Sequence, residues 1–151
     1  MSVYADTSFL FSLVVSDHNT PAVAAYVRAH RQPLLITPLQ RCELGNAIRL
    51  AIFRKHIDQA ACNAALAQIE NLFAVGKFLH TPLVWTDVVA EADRLGALHT
   101  AALGVRTLDL MHVAAAVSLA VKDFLTFDMR QRAFAKASGL RIGPHQRPSI
   151  R

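Results

Sequence analysis

The chain has 151 residues, enough for one domain whose folding removes roughly two-thirds of the unfolded surface from water, so a core forms without disulfides or a structural metal. Hydrophobic residues make up 53%, yet no apolar run approaches the ~20 residues that span a bilayer, and "MSVYAD" opens without a basic leader, an apolar block or a signal-cleavage site. A membrane protein is excluded on this reading, the cytoplasm is the expected compartment, and the net charge of +5 favours a polyanionic partner such as nucleic acid without identifying one.

Short apolar runs alternate with longer segments of helical period, the pattern of an α/β domain with a mostly parallel sheet. Residues 2–5 read as a strand, followed by a short helix for which Asp6 or Thr7 is the cap. Residues 33–36 read as a second strand. At "TPLQ", Thr37 is an N-cap, Pro38 suits the first helical position and Gln40 completes a capping box, opening a helix to about Arg54. Asp58 caps the next helix, "QAACNAALAQIENLFAV", and Gly76 stops it, so the two form a hairpin whose apolar residues either offer a partner-binding surface or are satisfied within the domain.

Residues 77–80 are a weaker strand. The segment "TDVVAEADRLGALHTAALG" reads as a helix with Thr86 or Asp87 as cap and Gly104 as terminator. Residues 107–121 are nearly apolar all round, which predicts a buried helix. Residues 123–126 form a further strand, after which Asp128 and Gln131 fit a capping box for "MRQRAFAKASG". Residues 141–142 give a last weak strand, and residues 143–151 read as a C-terminal tail of a single domain covering 1–151. Cys42 and Cys62 fit no metal-ligand spacing and read as small reduced core residues.

The acids stand in unusual places. Asp6 follows a predicted buried strand, where open α/β sheets bind ligands, but capping explains it equally well. Glu43 lies on a largely apolar helical stripe with Leu39, Ala47 and Leu50, where a carboxylate is costly unless paired or metal-bound. Neither Arg41 nor Arg49 reaches it from the same helix face, although an arginine from elsewhere in the fold would serve. Asp109 opens the buried helix and Asp128 follows a strand, each with a sufficient local role at a helix N-terminus. Capping does not explain the joint pattern.

The segments "YADTSFL" at Tyr4, "RCELGNA" at Arg41, "RTLDLMHVAAA" at Arg106 and "FLTFDMRQRAFA" at Phe124 resemble, in order and spacing, the acidic motifs of PIN-domain nucleases. The likeness is to VapC-type toxins of bacterial and archaeal toxin-antitoxin pairs, and it covers essentially the whole chain. It implies a three-layer α/β/α sandwich with a central, mostly parallel sheet. It also implies that Asp6, Glu43, Asp109 and Asp128 converge as catalytic ligands of Mg²⁺ or Mn²⁺, for which hard carboxylate oxygens are suited.

The implied reaction is endoribonucleolytic hydrolysis, with tRNA or rRNA as targets, a cognate antitoxin protein as partner and a homodimer as assembly. Ser8 and Thr126 are candidates to hydrogen-bond a ligand carboxylate, with helix initiation and strand propensity as their ordinary roles. His112, one turn after Asp109, is read as a hydrogen-bonded core histidine or as a group orienting a carboxylate or substrate. Arg106 is a candidate phosphate contact or a solvated surface residue. A non-catalytic nucleic-acid or protein-binding module on the same fold is the alternative. A phosphoesterase acting on small substrates ranks lower, because no P-loop or "DxDxT" motif is present.

Overall fold

The computed structural model describes residues 2–145. Strand β1 (Val3–Ala5) leads into helices α1 (Thr7–Val14) and α2 (Thr20–Ala29), then β2 (Leu34–Ile36). The helices α3 (Pro38–Phe53) and α4 (Gln59–Ala74), strand β3 (Phe78–His80), and helices α5 (Trp85–Leu103) and α6 (Thr107–Ser118) follow. Strand β4 (Asp123–Leu125), helix α7 (Met129–Ala137) and strand β5 (Arg141–Gly143) complete the described chain. The strands form one sheet in the order β3-β2-β1-β4-β5, with every neighbouring pair parallel. Tyr4 stands beside Leu35 on one side and Phe124 on the other, so β1 is the central strand.

Side chains alternate across the strands and divide the core in two. Val3, Ala5, Leu34, Ile36, Phe78 and Leu125 face a cluster with Phe9, Leu10, Leu44, Ile48 and Ile69 from α1, α3 and α4. Tyr4 and Phe124 face the other way, into Val88, Leu95, Val113, Ala114 and Phe134 from α5, α6 and α7. Both faces are therefore covered, giving the expected α/β/α sandwich and explaining why the strands are near-continuous apolar runs. Among the described residues, no helix is long and apolar enough to cross a membrane.

The turn chemistry matches the sequence at most ends. Thr37 and Gln40 form the reciprocal capping box, Asp58 accepts from the Ala61 N–H, and Gly104 ends α5 in the left-handed conformation at φ +65°. α5 differs from expectation: it starts at Trp85 after Val84, without a side-chain cap, and both Asp87 and Val88 donate to the Val84 carbonyl. Asp87 thus lies inside the first turn, where its charge favours the helix N-terminus. α6 is buried from His112 to Ala116, whereas Leu108 is half exposed, so its apolar surround overstates its burial. Cys62 is buried, but Cys42 is exposed on the outer side of α3. At the C-terminus β5 reaches Gly143 and Pro144 is buried, so the first part of the expected tail belongs to the sheet region; residues 146–151 lie outside the described residues.

Candidate active site

The strand order reverses between β1 and β4: β2 and β3 lie to one side, β5 to the other. Such a switch point opens a crevice beyond the carboxyl ends of the strands. Asp6 leaves β1 there, and Asp128 follows β4 three residues after Leu125.

Asp6 is 6% exposed and held by four groups. Ser8 Oγ donates to its Oδ1 at 2.6 Å, the Phe9 N–H donates to the same oxygen at 3.2 Å, Thr126 Oγ1 donates to Oδ2, and the Asp6 N–H extends the ladder to Leu125 O at 2.9 Å. The hydroxyls are themselves fixed: the Phe127 N–H donates to Ser8 Oγ at 3.0 Å and the Asp128 N–H to Thr126 Oγ1 at 3.1 Å. Burial raises the Asp6 pKa despite these bonds, so its negative charge is incompletely compensated. Asp6 is at once the cap of α1 and a desolvated carboxylate at the strand end.

Glu43 reaches the crevice from α3, with a quarter of its side chain exposed (25%), and its partner is His112 rather than an arginine. His112, 1% exposed, bonds Glu43 Oε2 through Nε2 at 2.8 Å and Tyr4 Oη through Nδ1 at 2.8 Å. Burial opposes ionisation of Glu43, but the groups around it, the His112 hydrogen bond foremost, together outweigh burial and hold its pKa below the ordinary value. The Thr7 hydroxyl stands near enough to favour the same charged form without making a hydrogen bond of normal geometry. His112 is thus both a satisfied core histidine and the group that orients Glu43. Tyr4, two residues before Asp6, carries no acid-motif signal in the sequence and is not among the site residues read there.

Asp109 lies in the first turn of α6 and accepts from Arg106 Nε at 2.9 Å. Arg106 is 73% exposed, and its charge also acts on Asp128 and Glu43. Asp128 caps α7 by accepting from the Gln131 N–H at 2.9 Å. The capping box is only half formed, because the Gln131 side chain instead donates to Asp109 O at 3.0 Å and ties α7 to α6. The acids are consequently linked: Asp6 through Thr126 to Asp128, Asp128 through Gln131 to Asp109, and α6 through His112 to Glu43.

The donor chemistry suits a hard divalent cation. Asp109 Oδ1, Asp128 Oδ2 and Glu43 Oε1 accept no hydrogen bond from a described residue, and Asp6 is an anion short of compensation. The convergence is looser than expected, however. Among the described residues, no three His, Cys, Asp or Glu side chains stand close enough to hold one metal ion, and the Arg106 cation rests on Asp109 instead.

Three solved structures share this architecture at 13–19% identity, a level that compares folds. The Mycobacterium tuberculosis VapC20 structure, described as a sarcin-ricin loop cleaving toxin, superposes with a TM-score of 0.68 at 13% identity, covering 93% of this chain and 97% of that one. FitAcB from Neisseria gonorrhoeae gives 0.65 at 15% identity, covering 93% and 95%. PAE2754 from Pyrobaculum aerophilum gives 0.59 at 19%, covering 94% and 89%. No curated protein matches the sequence. The PIN-domain family model matches residues 3–137, from β1 to the end of α7 and including every acid of the crevice. The chain belongs to the PIN-domain family.

Proposed function

We propose that this protein is a metal-dependent endoribonuclease and the toxin of a toxin-antitoxin pair. The observation that carries the proposal is the linkage of Asp6, Glu43, Asp109 and Asp128 around one crevice at the sheet's switch point. Capping and pairing account for each acid singly but not for the four being joined in one network at the switch point, where a cation would compensate the buried Asp6 carboxylate. Asp6 and Asp109 are the strongest candidate ligands of Mg²⁺ or Mn²⁺, with Glu43 and Asp128 as direct or water-mediated ones. Bound there, the ion supplies a water made nucleophilic at neutral pH and charge compensation at the phosphate.

The chain's own side chains set the geometry. Ser8 and Thr126 hold the Asp6 carboxylate in one plane, and His112 holds Glu43. Arg106, 73% exposed beside Asp109, is the candidate phosphate contact, exchanging its bond to Asp109 for an RNA phosphate oxygen. The similarity to VapC20, described as a sarcin-ricin loop cleaving toxin, supports the toxin role, while tRNA or rRNA as the substrate class, a cognate antitoxin as partner, a homodimer as assembly and a cytoplasmic setting are what the motif resemblance implies.

The test is incubation of antitoxin-free, folded protein with total cellular RNA in Mg²⁺, in Mn²⁺ and in EDTA, beside nucleotide monophosphates. Discrete RNA fragments made only with metal, and intact monophosphates, are expected. Folded protein that binds RNA but cleaves nothing in either metal would favour the non-catalytic binding module.

A further inference from the structure

The hydroxyl of Tyr4 has no packing purpose. The ring is fully buried, stacks on Phe124 at 5.5 Å with an interplanar angle of 8°, and meets His112 edge-on at 5.9 Å; phenylalanine would fill the same space. Burying a hydroxyl is unfavourable unless it is bonded, and this one is bonded to His112 Nδ1. The Glu43 carboxylate can only accept, so Nε2, which faces Glu43 Oε2 at 2.8 Å, carries a proton. In the neutral ring Nδ1 is then the acceptor, and the Tyr4 O–H is its donor. An Nδ1–H tautomer would set a lone pair against the carboxylate and leave Glu43 without its bond.

We propose that Tyr4 is a positioning residue of the acid cluster: its hydroxyl locks His112 as the Nε2–H tautomer, which fixes the Glu43 carboxylate facing the crevice. The arrangement couples the central strand to α3 through α6, so that Glu43, a quarter exposed on its helix, is aimed from the core rather than by its own helix. The consequence for metal binding rests on the reading of Glu43 as a ligand; the tautomer does not.

Two measurements separate these. Nitrogen-15 NMR of the imidazole in metal-free protein reads the tautomer directly: a protonated Nε2 and an unprotonated Nδ1 are expected, with Tyr4→Phe producing a mixture. An Nδ1–H tautomer in the wild type, or an unchanged one in Tyr4→Phe, overturns the proposal whatever the protein's activity. Mn²⁺ affinity, followed by the electron paramagnetic resonance of free Mn²⁺, then reads the consequence. Loss of an outer-shell partner typically weakens metal binding about 10–100-fold, and Tyr4→Phe is expected near the lower end of that range.

In the His112→Gln background the side-chain amide donates through a nitrogen that has no tautomer, so adding Tyr4→Phe is expected to change Mn²⁺ affinity no further. Equal weakening in both backgrounds would show that Tyr4 acts through packing and would sink the idea. Wild-type protein that binds no Mn²⁺ and cleaves no RNA would remove the nuclease reading, while the imidazole spectrum still decides the role of Tyr4.

Discussion

Replacing Gln40 by methionine tests how the sheet and the site are joined. The side chain is fully buried and does two jobs: Oε1 accepts from the Thr37 N–H at 2.7 Å, and Nε2 donates to Ala5 O at 2.7 Å and Leu35 O at 3.2 Å. It thereby ties the start of α3 to the ends of β1 and β2, one residue before Asp6. Methionine keeps the length and helix propensity but neither bonds nor accepts there. The substitution strands at least the Thr37 N–H and the Ala5 carbonyl, each costing about 1–3 kcal/mol when buried and unpaired. A loss of roughly 2–5 kcal/mol is expected, lowering Tm by roughly 5–15 °C at this chain length. Urea unfolding followed by circular dichroism measures it, with an unchanged m-value showing that the comparison is of the same two states. A loss below about 1 kcal/mol would mean that the bonds to β1 and β2 carry little of the stability argued for them.

Thr126→Val removes the hydroxyl that links Asp128 to Asp6, and RNA cleavage is expected to fall about 10–100-fold while Thr126→Ser restores most of it. Equal loss in both variants would mean that the methyl group, not the hydroxyl, matters. Asp6 has a folded pKa raised by burial, so ionising it costs stability at neutral pH and that cost disappears as pH falls through its folded pKa to the unfolded value near 3.8. Metal-free Asp6→Asn should therefore melt above the wild type at pH 7, with the difference vanishing near pH 3.5; a lower Tm at pH 7 contradicts this. Gly104→Ala places a side chain at φ +65° with nothing within 4 Å, so it should cost about 1 kcal/mol by conformation alone and leave cleavage unchanged, as thermal unfolding and an RNA assay would show.

The elements were legible where local chemistry decides them. Thr37 with Gln40, Asp58, Gly76 and Gly104 are read within one helical turn of sequence, and the strands fall within a residue of their apolar runs. The order and spacing of the acids were legible too, as a resemblance. The partners of those acids were not. Glu43 and His112 stand 69 positions apart, Tyr4 and His112 108, and nothing local links them until α3 and α6 pack beside β1. Cys42 was misjudged because its apolar neighbours lie on the other side of the same turn. Gln131 resisted reading for a related reason: a cap by local pattern, it spends its side chain on Asp109 in another helix.

The central claim is that the linked carboxylates form one metal-dependent RNA-cleaving site. It is tested most directly by measuring Mn²⁺ binding and RNA cleavage together for the wild type and for Asp6→Asn, Glu43→Gln, Asp109→Asn and Asp128→Asn, each checked for its fold. The account predicts that the wild type binds Mn²⁺ and cuts RNA, and that Asp6→Asn and Asp109→Asn lose both together. Wild-type cleavage that persists in EDTA, or survives both of those substitutions, would contradict it.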